Sequence, residues 1–278
     1  STYISQRLNP TTIYQESYIS PDEVEISGEG KNIIYIYMES METTYASYED
    51  GGYQEINYIP NLTELAYDNV SFSDSDSLGG WHTASGTSWT MAAMFATQTG
   101  IPFSFPIDGN GMGDKEKFAS GTISVGDILE EKGYYNEFLC GSDGSFAGRS
   151  DFFEQHGNYN VLDYYWAQAA GYFPSDRFVW WGYEDSYLYT IAKDRLTYIA
   201  EQNQPFNYVM LTVDTHHVSG YICDLCDDEY PEQLANVVKC ADNQVYDFIN
   251  WCKEQDWYDD TIIVITGDHP RMDTDLVD

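Results

Sequence analysis

Three apolar stretches of this chain end in side chains that bind metals or activate hydroxyls. Ile33-Ile34-Tyr35-Ile36-Tyr37-Met38 stops at Glu39-Ser40, and Thr261-Ile262-Ile263-Val264-Ile265-Thr266 stops at Gly267-Asp268-His269. Between them, residues 206–213 lead into Asp214-Thr215-His216-His217. Carboxylates, an imidazole and an alcohol oxygen together suit a hard or borderline divalent ion such as Mn²⁺, Mg²⁺ or Zn²⁺. A fourth stretch, Ser85-Gly86-Thr87-Ser88-Trp89-Thr90, crowds hydroxyls ahead of a helical pattern in which Met91, Met94 and Phe95 recur. Free backbone N–H groups at a helix start seat an anion, and a hydroxyl beside a divalent ion gives up its proton more readily. Thr87 is therefore expected as a nucleophile for phosphoryl chemistry, provided that Glu39, Thr87, His216, Asp268 and His269 meet on one rim.

They meet only if the surrounding elements deliver them there. The β-branched runs read as buried parallel strands, joined by another at 135–139. Helical patterns cover 60–67, 87–99, 124–133, 182–201 and 232–253, with Gly100 beyond Thr99 and Gly133 beyond Lys132 as stop signals. Strands alternating with helices predict an α/β fold with a mostly parallel central sheet and helices on both faces, where ligands bind at the carboxyl ends of strands. Residues 1–30, with Pro10 and Pro21 and no clear period, read as an N-terminal arm or linker, and 31–278 as the domain itself.

Composition narrows the function. The 278 residues carry 12 basic and 46 acidic side chains, a net charge of −34, so nucleic acid is excluded as a partner unless a local site reverses the sign. With 42% hydrophobic and 16% aromatic residues the chain is too apolar for the charged disordered class. No stretch of the sequence approaches the roughly 20 apolar residues of a spanning helix, and no signal-peptide pattern is read within it. Opening at Ser1 and stopping soon after His269, the sequence reads as a soluble portion of something longer.

Four motifs in order, Asn32-Ile33-Ile34-Tyr35-Ile36-Tyr37-Met38-Glu39-Ser40-Met41-Glu42, Ser85-Gly86-Thr87-Ser88-Trp89-Thr90, Leu211-Thr212-Val213-Asp214-Thr215-His216 and Thr266-Gly267-Asp268-His269, resemble those of the lipoteichoic acid synthase and phosphoglycerol transferase family. That family lies in the alkaline phosphatase and sulfatase superfamily. The resemblance implies transfer of glycerol phosphate from phosphatidylglycerol to a cell-envelope glycan or teichoic acid acceptor, through a covalent threonine intermediate. It implies one metal, usually Mn²⁺, held by Glu39, Thr87, Asp268 and His269, with Thr87 as nucleophile. His216 would hold the substrate phosphate or glycerol, and Arg149, in Ser145-Phe146-Ala147-Gly148-Arg149, a phosphate. It further implies an extracellular domain of a bacterial membrane protein whose N-terminal transmembrane helices lie outside this sequence. Ala147 and Cys140 stand where lipoteichoic acid synthases carry a tryptophan and a histidine, so the pocket differs there.

A metal-dependent phosphodiesterase, a sulfatase-like hydrolase and a non-catalytic glycan-binding module are the alternatives. Thr87 lacks the Cys/Ser-x-Pro-x-Arg context of a sulfatase nucleophile. Trp180-Trp181 reads as core packing and helix initiation ahead of a sugar platform. Among five cysteines, Cys223 and Cys226 form a C-x-x-C. Cys240 and Cys252 lie on one helical pattern, roughly 18 Å apart at 1.5 Å per residue, and cannot share an ion. A disulfide from Cys240 to Cys223 or Cys226 is expected in an oxidising compartment, with Cys140 and Cys252 as buried thiols.

Overall fold

The computed structural model describes residues 19–20, 23, 31–73, 75–105, 110–114 and 116–276; the expected arm over 1–30 lies almost wholly outside them. The strands are β1 (Asn32–Met38), β2 (Tyr135–Cys140), β3 (Asn160–Leu162), β4 (Phe206–Leu211) and β5 (Thr261–Gly267). The principal helices are α1 (Pro60–Asp68), α2 (Thr90–Thr99), α3 (Val125–Glu131), α4 (Arg149–Gln155), α5 (Tyr164–Ala169), α6 (Asp185–Ala200) and α7 (Gln233–Lys253). The strands form one sheet in the order β3-β2-β4-β1-β5, every pairing parallel.

Strand alternation divides the interior into two layers. Ile34, Ile36 and Met38 of β1, with Tyr208 and Met210 of β4, face a core built with Leu188, Ile191 and Leu196 of α6 and Val238, Val245 and Phe248 of α7. Tyr35 and Tyr37 of β1, with Val209 and Leu211 of β4, face the opposite core of Met91, Met94 and Phe95 from α2 and Phe152 and Phe153 from α4. Helices on both faces leave β1 and β4 nearly continuous in apolar character, as a doubly covered parallel sheet requires, whereas β2 also buries Asn136. One buried charge interrupts the pattern. Glu137 in β2 is fully buried and is neutralised by Arg195 of α6, through Nε at 2.9 Å and Nη2 at 2.6 Å.

Three element boundaries differ from the sequence reading. β4 stops at Leu211: Thr212 N still donates to Tyr37 O of β1, but Val213 N turns away to the Asp185 carboxylate. α6 starts at Asp185 and not at 182, since Gly182 hydrogen-bonds with Val179 and Tyr183 with Gly141. α2 starts at Thr90 and not at Thr87: Trp89 is extended, and Gly86, at φ +85°, closes a turn that feeds the helix. β3, α4 and α5 lack a distinct sequence signal because they are only three to seven residues long. All five cysteines are separate thiols, so the expected Cys240 disulfide is not formed, while Cys140 and Cys252 are buried as anticipated.

Candidate active site

A parallel sheet places all its carboxyl ends on one edge, and the register decides which residues become neighbours there. Tyr37 pairs with Leu211 on one side and Thr266 on the other, and Met38 pairs with Gly267. Glu39 therefore emerges between Thr212 and Asp268. Its N–H donates to Thr212 Oγ1 at 2.9 Å, and the Thr215 hydroxyl donates to its carbonyl. The Asp268 carboxylate accepts from Ser40 N and His269 N, both at 2.8 Å on Oδ1, and the Ser40 hydroxyl donates to Glu39 Oε1 at 2.7 Å. Gly267 is obligatory for this closeness: a Cβ there would sit 1.8 Å from the Met41 carbonyl oxygen.

Glu39, Asp268 and His269 each present a ligand atom within 4.8 Å of the others, and all three are buried. His269 Nε2 lies 3.6 Å from Glu39 Oε1 and 3.4 Å from Asp268 Oδ2. Its Nδ1 faces the Pro270 carbonyl at 2.8 Å, which can only accept; Nδ1 carries the hydrogen and Nε2 presents its lone pair to the acids. Asp268 Oδ2 is buried without a hydrogen-bond partner. Burial and the neighbouring Glu39 charge push the Asp268 carboxyl up to about 8. Burial opposes a charged His269, yet Asp268 and Glu39 outweigh it and raise the imidazole pKa. Two carboxylates and an imidazole lone pair, with one buried oxygen unsatisfied, fit a divalent cation.

The hydroxyl that joins this group is Thr90. Its Oγ1 lies 3.2 Å from Glu39 Oε2 and 3.2 Å from His269 Nε2. Thr90 opens α2, whose N-cap Trp89 supplies no side-chain cap, so the first amides of the helix are left without a capping side chain. Thr87 is placed differently. Its hydroxyl bonds Ala84 O and Ala84 N, both at 2.9 Å, and closes the turn ahead of the helix. Among the described residues Thr87 makes no hydrogen bond to Glu39, Asp268 or His269. The signal for Thr90 is present in the sequence: it is the hydroxyl residue immediately before Met91, the first periodic apolar position.

His216 follows β4 on the same edge. Burial lowers its pKa, and the charges of Glu39 and His269 also act on it. Its Nδ1 faces the His217 carbonyl at 2.8 Å, so the hydrogen sits on Nδ1 and Nε2 is an acceptor. The loop is clamped by two buried acids. Asp185 accepts from Val213 N at 2.8 Å and Asp214 N at 3.1 Å, while Asp214 accepts from Asp185 N at 3.1 Å. Arg271 adds a bond from Nη1 to Thr215 O at 2.7 Å. Trp181 is 40% exposed with its ring 4.7 Å from that of His216, so it edges the site and is not the core residue anticipated. Arg149 is buried after β2, donating from Nη2 to Asp143 O at 2.7 Å, and its Nε has no partner. It lies beyond hydrogen-bonding reach of the three acid and imidazole groups.

Comparison with known proteins places the chain. Residues 31–272 match the Sulfatase family profile. Phosphoglycerol transferase I of Salmonella choleraesuis (strain SC-B67) is 34% identical over 247 residues, covering 87% of this chain and 31% of the relative. The chain thus spans about a third of the length of the curated relatives it matches. In fold it is similar to the lipoteichoic acid synthase LtaP of Listeria monocytogenes, with TM-score 0.70 at 21% identity over 90% of this chain and 59% of that one. A protein of the alkaline phosphatase superfamily from Vibrio parahaemolyticus gives TM-score 0.67 at 23% identity, over 87% and 55%. The parallel sheet, its helical layers and the match over most of its length make this chain a member of the Sulfatase family, with an alkaline phosphatase/sulfatase-like fold.

Proposed function

We propose that this chain is the catalytic domain of a metal-dependent enzyme that transfers glycerol phosphate from phosphatidylglycerol to a cell-envelope glycan or polyglycerolphosphate acceptor. The observation that carries the reading is the Thr90 hydroxyl at an uncapped helix start, 3.2 Å from both Glu39 and His269. Similarity to phosphoglycerol transferase I supplies the substrate class. Thr90 replaces Thr87 as the nucleophile and as the hydroxyl nearest the metal-binding groups.

Glu39, Asp268 and His269 would hold one divalent ion, Mn²⁺ by the family resemblance and Mg²⁺ or Zn²⁺ by donor chemistry. Such an ion supplies Lewis acidity, lowering the pKa of a nearby hydroxyl and offsetting phosphate charge. On a surface as acidic as this one, a local positive centre is what lets a phosphodiester approach. Thr90 Oγ1 attacks the phosphorus and loses its proton, the ester bond to diacylglycerol breaks, and the departing alkoxide is protonated to free diacylglycerol. An acceptor hydroxyl then attacks the same phosphorus, its proton is released, and the Thr90 ester bond breaks with a proton returned to Oγ1. The free amides of α2 stabilise the phosphoryl oxygens in both steps. His216, with its lone pair on Nε2, accepts from a glycerol hydroxyl; a neutral imidazole in this tautomer suits a hydroxyl better than a phosphate oxygen. Arg149, with its buried free Nε–H, is a donor for a phosphate on the β2 side. The lipid donor sets the workplace at the outer face of a bacterial membrane; no helix among the described residues is long and apolar enough to cross one.

The reading is tested by incubating the metal-loaded protein with a phosphatidylglycerol analogue, with and without glycan. Glycerol phosphate esterified to the glycan, with diacylglycerol in equal amount, is the expected result. Release of glycerol phosphate to water alone, at the same rate in both arms, would make the domain a phosphodiesterase.

A further inference from the structure

Away from the acid cluster, three cysteines converge where the His216 loop meets α7. Cys223 Sγ lies 3.7 Å from Cys226 Sγ and 3.8 Å from Cys240 Sγ, and all three sulfurs fall within 4.8 Å of one another. Cys223 and Cys240 are buried and Cys226 is partly exposed. These separations match the geometry of a thiolate metal centre: Zn–S bonds of about 2.3 Å in a tetrahedron put neighbouring sulfurs about 3.8 Å apart. A disulfide would use two sulfurs and strand the third in the same pocket.

The surroundings fit thiolates. Gln244, one turn beyond Cys240 on α7, directs Nε2 at Cys240 Sγ at 3.4 Å and at Cys223 Sγ at 3.9 Å. Amide N–H groups donating to ligand sulfurs are a common outer layer of thiolate centres. No Lys, Arg or His among the described residues hydrogen-bonds any of the three sulfurs. Cys226 is the one member of the three that reaches solvent.

We infer that Cys223, Cys226 and Cys240 form a zinc-binding site that pins the His216 loop to α7. Binding is an acid–base exchange with no redox step: three thiols release three protons and form three Zn–S bonds, and water takes the fourth position. The mechanical path to the active site is short. Tyr221 N donates to Asp214 O at 2.7 Å, Gly220 N donates to His216 O at 3.1 Å, and Gln233 Nε2 of α7 donates to Gly220 O at 2.9 Å. The cluster thus anchors the far end of the segment whose near end presents His216.

The test uses the whole chain carrying Asp268→Asn, which disables the acid site and leaves the cysteines intact. Protein purified without oxidant is dialysed and assayed for zinc, then exchanged with Co²⁺ and examined for a sulfur-to-cobalt charge-transfer band, which oxygen and nitrogen ligands do not produce. About one ion per chain and a thiolate band are expected, with metal falling to about a tenth or less in Cys240→Ser. Because Cys240 is buried, Cys226→Ser serves as the second variant; it should keep the circular dichroism of the parent and weaken the band. Parent protein with no more zinc than Cys240→Ser and no thiolate band overturns the proposal. So does peptide mapping of native protein that finds Cys223 or Cys226 linked to Cys240.

Discussion

Asp268→Asn separates the electrostatic cost of the metal site from its purpose. In metal-free protein, burial and Glu39 lift the Asp268 carboxyl from 3.8 to about 8. A folded-state pKa above the unfolded one means the native state binds the extra proton, so stability declines as pH rises from 3.8 and levels off above about 8. At pH 7 the wild-type residue then costs on the order of 4 kcal/mol, from about 1.36 kcal/mol per pH unit over the interval above 3.8. Asparagine removes that cost and keeps an oxygen to accept from Ser40 N and His269 N. The metal-free variant should melt higher at pH 7, by up to on the order of ten degrees, and the advantage should vanish near pH 4. Added Mn²⁺ narrows the difference, because an ion at a hundred times its Kd adds about 2.7 kcal/mol to the protein that binds it, most of the cost of about 4 kcal/mol. Calorimetry of both proteins, with chelator and with Mn²⁺, reads all four states. A variant less stable than wild type in chelator, or an equal Mn²⁺ gain in both, would refute the electrostatic reasoning.

Other consequences follow from the same contacts. His216→Ala should raise KM for the lipid donor about tenfold or more with a smaller fall in kcat, read by initial rates, since it removes an acceptor for the substrate and leaves Thr90 in place. Arg195→Met should lower unfolding free energy by roughly 3–5 kcal/mol in denaturant titration, because Glu137 is left charged and buried; Glu137→Leu with Arg195→Met should recover much of the loss. The His156–Asp127 pair, 3.4 Å apart, has its own pH window. Burial opposes both charges, but Asp127 raises His156 above 6.5, and His156 with Ser124 lowers Asp127 below 3.8. The histidine contribution is full below 6.5 and lost as pH rises through the raised value, whereas the aspartate contribution is full above 3.8 and lost in stronger acid. The melting difference between wild type and His156→Gln should therefore peak between those values.

Much of the fold was legible because strand chemistry and element alternation agree. The β-branched run at 261–266 and the apolar run at 33–38 could be read as parallel strands, and their parallelism alone brings Glu39 and Asp268-His269 to one edge. The helix start was harder. Ser85, Thr87, Ser88 and Thr90 are all plausible caps, and the sequence does not say that Gly86 would close an independent turn or that Trp89 would stay extended. That local choice puts the Thr90 hydroxyl, and not that of Thr87, beside Glu39 and His269. Trp181 eluded the sequence for a related reason: an aromatic pair does not reveal which ring a short bridge between Val179 and Gly182 will turn outward. The three-sulfur cluster depends on Cys240 facing a loop 14 residues earlier in the chain, which spacing cannot fix.

The central claim is that the hydroxyl joining the acid cluster is the one that becomes phosphorylated. Metal-loaded protein is mixed with a phosphatidylglycerol analogue in the absence of acceptor, quenched in acid, digested and mapped by tandem mass spectrometry, alongside Thr90→Ala and Thr87→Ala. A glycerol phosphate ester on Thr90 in wild type and in Thr87→Ala, with no adduct and no turnover in Thr90→Ala, is the result the proposal predicts. An ester on Thr87, or near-normal turnover by Thr90→Ala, would contradict it.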